Sequence, residues 1–518
     1  MSWLHVWVVL VLVACGARQP VPVSREALAA ADAELLAGCY DCLLAARASY
    51  RRLSGSAERP ELLARVFEAD LLIALRENEL VLPPSDALAD ARRLARELPP
   101  AVEADRYLAL VEVIPPDELG VSERARQASL TAFTTSVSRL GAMRRWLAGG
   151  ALRKPVRDYL ALALDCAFPL PAPLRERGTS PAPTDRTHDA PLLAYRAASC
   201  DPAGSPALVA VRTREPRFIE AAFAVAKREV DDAALGAPEH AREHLAELVA
   251  KFPRSPAISY LAGSYHQLLG EWAEALALHD RTLSAQPAHD RAQLGRTISL
   301  TNLARPREAL EAATQLIALG GDGQVDGYYW RAWNHHTLAE LADARADIDA
   351  AKALRGAPHV LSLAGIIEHD QGELELAKSD LEVAIAALDG DCTARWYLGL
   401  VHRKQKRWAD SGHVFEAAMA CFRDRAAGLG RRSAALEARS DLDPAYRERA
   451  IASLRASIDA DVRQQHQAAL VAAAGHAASG DLATARTLLE LAAEEPALAE
   501  EVARLRAALD KPRPAPRR

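Results

Sequence analysis

Along most of the chain apolar and small residues return at intervals of three and four, with charged residues between them. That spacing gathers the apolar positions on one face of a helix. It predicts helices over 61–77, 85–97, 104–113, 122–148 and 156–167, and again from residue 220 onward. A longer period lies above this one. A small residue recurs at Ala241, Ala275, Ala309, Ala344, Ala377 and Ser411, in steps of 34, 34, 35, 33 and 34. Twelve positions before it stand Gly263, Gly365 and Gly399, with Ala332 and Thr297 as looser cases; five before it stand Gly236, Gly270 and Gly372. Two after that turn come Trp272, Leu341, Leu374 and Trp408, and four after the small residue come Leu245, Ile348, Leu381 and Phe415. Each period therefore reads as a helix–turn–helix hairpin that cannot bury its apolar face without its neighbours.

This pattern is similar to the tetratricopeptide repeat. The resemblance covers about residues 220 to 425. It is best over 258–287, 356–388 and 394–422, and holds in the second helix of 291–319 and 328–354. Gly480, Leu482, Ala485, Leu489 and Ala492 keep the same internal spacing, so 465–495 reads as a further repeat. Residues 426–461 read as two helices broken at 441–444, and 25–52, turning at Gly38-x-Tyr40, as a degenerate repeat. The resemblance implies an all-α fold, an α-solenoid of antiparallel helix hairpins. The expected order is an irregular helical region (25–167), a Pro-rich linker (168–205), the array (206–425), C-terminal helices (426–510) and a disordered Pro/Arg-rich tail (511–518).

The N-terminus reads as an address. Residues 3–13 are apolar apart from His5, too short a run to span a bilayer as a helix, and fit the core of a signal peptide. The run closes in Leu12-Val13-Ala14-Cys15-Gly16, which resembles the lipobox of bacterial lipoproteins. That implies a signal peptide over 1–14, lipid on Cys15, a tether over 15–24, and a chain anchored to a bacterial membrane facing the periplasm. Gly16 in place of Asp favours the outer membrane under the enterobacterial sorting rule. Met1 to His5 depart from the pattern in carrying no Lys or Arg.

Composition narrows the classes. Half of the 518 residues are apolar, which excludes disorder, and only 5% are aromatic. The abundance of Ala favours helices. A net charge of −6 offers no basic surface for a nucleic-acid backbone. Beyond Cys15, six cysteines remain, and in an oxidising compartment they offer local pairs at Cys39–Cys42, Cys166–Cys200 and Cys392–Cys421, buried thiols being the alternative. Cys39 and Cys42 fall i, i+3 on one face of an expected helix, without the βαβ setting of a redox CxxC.

Candidate chemistry is sparse. His240-Ala241-Arg242-Glu243-His244 spells H-x-x-E-H, which could hold zinc with Glu243 as base, but Ala241 and Leu245 occupy packing positions of the repeat and no third ligand is assignable. No phosphate loop or nucleophile elbow is present, so no catalysis and no cofactor is expected. What remains is a groove. In the repeat family, positions 2, 5, 9, 12 and 13 of each unit line the inner wall. Carried over, they give Tyr260, Gln267, Arg291, Asn302, Tyr329, Trp333, His336, His369, Trp396, Arg403 and Lys404. Aromatic and Arg side chains are the usual anchors of binding sites, and Tyr328, Tyr329, Trp330 and Trp333 cluster here. The basic clamp of chaperone-tail binders needs Lys and Asn where Tyr260 and Ser264 stand. The expected function is a membrane-anchored scaffold binding a protein or peptide partner in the cell envelope. The alternatives are a small-molecule or glycan-binding lipoprotein and, remotely, a zinc peptidase.

Overall fold

A computed structural model describes residues 23–55, 59–114, 137–167, 190–201, 205–231, 241–439 and 444–510. The signal peptide, Cys15, most of the tether, His240 and the tail 511–518 lie outside these residues, as do the first part (122–136) of the helix expected over 122–148 and all but Pro444 of the break expected at 441–444. The described residues are helical, with two short 3₁₀ turns and no strand among them. They fall in two compact units that divide between Val225 and Ala226, inside the stretch the sequence assigned to the array.

The first unit holds α1 (Arg25–Ala37), α2 (Tyr40–Ser54), α3 (Pro60–Leu80), α4 (Ala87–Ala95), α5 (Ala104–Val113), α6 (Val137–Gly149), α7 (Lys154–Ala167), α8 (Pro191–Cys200), α9 (Ser205–Arg214) and the start of α10 (Glu220–Asp231). Helix α8 corrects the sequence reading, which placed a linker there. Pro191 sits in its first turn, where a missing N–H costs nothing, and Leu192, Leu193 and Tyr195 bury its face. Gly38 ends α1 with φ +73°, and Leu192 packs so close that no Cβ would fit. Cys39 then caps α2 and is joined to Cys42, with Cα atoms 4.8 Å apart. The pair thus lies at a helix start, not along a helix face. Cys166 pairs with Cys200, Cα atoms 5.3 Å apart.

Helix α3 is buried from Val66 through Glu77, charges included. Each charge has a countercharge or a donor, as burial demands. The buried Arg76 donates to the Gly38 carbonyl at 3.0 Å and lies over the rings of Tyr195 and Phe218. Glu68 accepts the Arg153 backbone N–H at 2.7 Å. Asp70 faces Arg47, which also reaches Asp86 and Asp90. Burial outweighs the pull of Arg47 and the nearby Arg51 on Asp70 and pushes its carboxyl up to about 7.

The second unit takes in the end of α10 and continues with α11 (Ala241–Lys251). Five helix hairpins follow: α12 (Pro256–Leu268) with α13 (Trp272–Ala285), α14 (Asp290–Asn302) with α15 (Pro306–Leu319), and α16 (Gly323–Thr337) with α17 (Leu341–Leu354). Then come α18 (Pro358–Gln371) with α19 (Leu374–Ala387), and α20 (Cys392–Lys404) with α21 (Trp408–Glu437). Beyond them lie α22 (Pro444–Ser479), α23 (Leu482–Ala492) and α24 (Ala499–Leu509). Cys392 pairs with Cys421, Cα atoms 5.4 Å apart.

The recurring residues meet as their spacing requires. Gly365 lies against Leu381 and Gly399 against Phe415, at distances that leave no room for a Cβ. In the first hairpin that large position is His279, whose buried ring is held between Gly263 and Gly295. Burial pushes His279 down to about 3, so it is neutral. One backbone position per turn is left-handed: Gly270, Ala304, Ala339, Gly372, Lys406 and Gly480. At each, the next residue's N–H returns to a carbonyl five residues back, for example Glu271 to His266 and Glu340 to His335. In those two turns the side chains pair as well, His266 Nδ1 to Glu271 at 2.6 Å and His335 Nδ1 to Glu340 at 2.7 Å.

The first of the two helices expected over 426–461 is not a new element: α21 runs unbroken from Trp408 to Glu437. Likewise the first helix of the repeat expected at 465–495 is the end of the long α22. The two long helices pack antiparallel. Near their far ends Leu436 and Ile451 are buried against the partly buried Leu269, Ala450 and Leu454. Arg449 stands 3.6 Å from Glu271. The tip of the last long hairpin thus rests on the turn of the first one. No described helix is long and apolar enough to cross a membrane.

Candidate functional site

The first helices of successive hairpins, α12, α14, α16, α18 and α20, pack directly on one another, whereas successive second helices meet marginally at most. A stack that is closer on one side curves toward it, so these first helices form the inner wall. The sequence-derived candidates divide on this wall.

At its centre Tyr329 packs against Trp330, Trp333 and His359, with ring centroids 5.3, 6.5 and 5.0 Å away. Trp333 remains 38% exposed. Burial, with Asp391 and Asp326 nearby, pushes the Tyr329 hydroxyl up to about 12, so it stays a neutral donor. One repeat on, Asp370 joins His336 (Nε2, 2.8 Å) to His369 (Nδ1, 2.8 Å). Burial alone would raise the Asp370 carboxyl, but the two imidazole hydrogen bonds outweigh it and hold the group below its usual range. Lys404 donates to the His369 carbonyl at 2.9 Å, and Arg403 is exposed beside it. Tyr329, Trp333, His336, Arg403 and Lys404 thus offer an aromatic step followed by a polar and cationic one.

Other candidates are used in packing. Gln267 donates to the Gly295 carbonyl and to Ser299, which ties α12 to α14. Tyr260 is half-buried against His289, centroids 4.9 Å apart. His369 is buried, its edge against Tyr397, and Trp396 packs edge-on to Phe415 between α20 and α21. The burial of His369 corrects the expectation that it lines the groove, whereas Trp396 is half-buried. Asn302 is exposed with its amide returned to the Ile298 carbonyl, and Arg291 is half-buried. Asp370 and His359 were missed, although the same positional rule places them on α18 at sites 13 and 2.

Behind the wall, buried Glu368 lies 3.5 Å from Lys352 and 3.8 Å from Arg345. Burial, with Asp380 nearby, exceeds the pull of these cations and pushes its carboxyl up to about 7. Glu243 and His244 lie on α11, where Ala241 and Leu245 are buried in packing positions.

No family model matches the chain, and no curated relative does. Solved structures do. YrrB, a tetratricopeptide-repeat protein with an unusual peptide-binding site, is 15% identical over 34% of this chain and 91% of its own, with a TM-score of 0.28. A tetratricopeptide-repeat protein from Parabacteroides merdae is 13% identical over 51% and 93%, with a TM-score of 0.37. The Cut9 and Hcn1 hetero-tetramer of the APC/C is 11% identical over 90% and 93%, with a TM-score of 0.40. The fold is fixed by this chain's own geometry: hairpins repeating every 33–35 residues, paired through a small residue in one helix and a large one in the next, with a left-handed turn between them. The second unit has the fold of a tetratricopeptide-repeat array, an α-solenoid of antiparallel helix hairpins.

Proposed function

We propose that the chain is a scaffold that holds a protein or peptide segment against the inner wall of its array, and that lipid on Cys15 tethers it to a bacterial membrane, most simply the outer one. The observation that carries the docking site is Trp333. It is a large aromatic left partly exposed on the inner wall, backed by Tyr329 and Trp330, with Arg403 and Lys404 further along. An exposed aromatic held rigid by its neighbours gives contact area at little entropic cost, the usual form of an anchor. The tether rests on the lipobox-like run ending at Cys15.

The test is a pull-down from solubilised membranes with wild type and a Trp333→Ala/Arg403→Ala variant. Loss of an anchor aromatic alone is expected to weaken partner binding by roughly thirtyfold, about 2 kcal/mol. Identical partner lists from equally folded proteins would sink the groove assignment. Mass spectrometry of the mature N-terminus tests the tether separately, and an unmodified Cys15 would overturn it.

A further inference from the structure

Away from the inner wall, two helices bring ligand-type side chains together. His413 and Glu416 lie one turn apart on α21, and His476 faces them from α22. One ligand atom from each lies within 4.8 Å of the other two. The His476 side chain is only 3% exposed, and its Nε2 has no hydrogen-bond partner. That nitrogen stands 3.0 Å from Glu416 Oε1 without the alignment of a hydrogen bond. Two ligands on one tetrahedral zinc ion, each about 2.0–2.2 Å from it, stand about 3.3–3.6 Å apart, so this pair needs to open by only a few tenths of an ångström to admit the ion. His413 Nδ1 is 3.6 Å from Glu416 Oε2, and the two imidazoles meet edge to face at 5.1 Å.

The backbone is shaped around this cluster. A Cβ on Gly412 would fall 2.9 Å from the His476 ring, and one on Gly475 would fall 2.9 Å from the Gly412 nitrogen. The helices therefore touch at two glycines, and the ring occupies the space this leaves. A structural role for His476 is already set by the repeat, since it holds the turn position of His266 and His335, with Asp481 as the acidic partner. Those two histidines contact their carboxylates at 2.6 and 2.7 Å. Here the Nδ1–Asp481 contact has opened to 3.6 Å, while Nε2 lies close to Glu416.

We propose that His413, Glu416 and His476 form a site for a borderline divalent transition metal, zinc above all. Two imidazoles and one carboxylate suit that ion. The His413 side chain is 70% exposed, so water can complete the coordination from the solvent side. The ion would pin α21 to α22 at the base of the long hairpin.

Zinc is titrated calorimetrically into the purified, metal-stripped chain, and cobalt(II) is added in parallel to report coordination by visible absorption. Wild type is expected to take up one equivalent. His413→Ala and Glu416→Gln are expected to lower zinc affinity at least tenfold and to abolish the cobalt band. His335→Ala, on a separate His–carboxylate cluster with Glu340 and Asp343, is expected to change neither. His413 is exposed, so its removal leaves the fold intact, and a circular dichroism melt checks this. Equal zinc affinity in wild type, His413→Ala and Glu416→Gln overturns the proposal, as does the absence of stoichiometric binding in wild type.

Discussion

Single residues here do two opposed jobs, closing helices onto each other and holding charge where water is absent. Glu368 shows the second. Its carboxyl takes up its proton at about pH 7 in the folded chain, against an ordinary 4.5. Between those values the folded state binds more protons than the unfolded one, so stability falls as pH rises through that window and is level above it. Glu368→Gln removes this dependence. Lys352 keeps Asp380, and Arg345 keeps Asp349 and Glu373, so neither cation is stranded. The variant is expected to gain on the order of 2 kcal/mol at pH 8 relative to pH 5, read from denaturation midpoints at the two pH values. His279 shows the first job. Gly295→Ala drives a methyl into its ring and is expected to cost about 1–3 kcal/mol. In a double-mutant cycle, truncating His279 to Ala should recover most of that cost; additive losses would mean the ring is not the obstacle.

At the scale of the element, the turn between paired helices is the most uniform feature. Its left-handed position holds Gly in three cases, Ala in two and Lys in one. A side chain there costs about 1–2 kcal/mol, partly offset because Gly loses more chain entropy on folding. Ala304→Gly and Ala339→Gly are therefore each expected to stabilise by about 0.5–1 kcal/mol in urea denaturation, whereas Gly372→Ala should destabilise. The sequence announced this turn where it used Gly and hid it where it used Ala or Lys. The same holds for the wall. Spacing located Trp333 and Tyr329, because position decides which face a residue joins. It could not reveal that the half-buried Trp396 packs edge-on to Phe415, because that depends on the neighbouring helix, whose Phe415 ring fills the space beside Gly399. The buried charges of α3 were equally hidden: Glu68, Asp70, Arg76 and Glu77 resemble a solvated stripe until partners from distant helices are placed on them. His413, Glu416 and His476 escaped notice because the third residue comes from another helix sixty positions on.

For the second unit as a whole, the long hairpin matters most. Its tip meets the α12–α13 turn through Leu436, Ile451 and Leu269, with Arg449 near Glu271. Ile451→Asp places a charge in that contact. Deuterium uptake is expected to rise around Leu269 to Glu271 with no change in helix content, and unchanged uptake would show the contact to be dispensable. A stack of repeats ordinarily behaves as a one-dimensional chain with free ends, each unit supported only by its neighbours, so it frays from its termini inward. Joining the fifth hairpin to the first replaces those free ends with something close to a periodic boundary. Neither terminal hairpin can then peel away alone without first giving up a contact made at the other end, and the five hairpins should open as one block, with a single steep transition in denaturant where an unjoined array would show a gradual one.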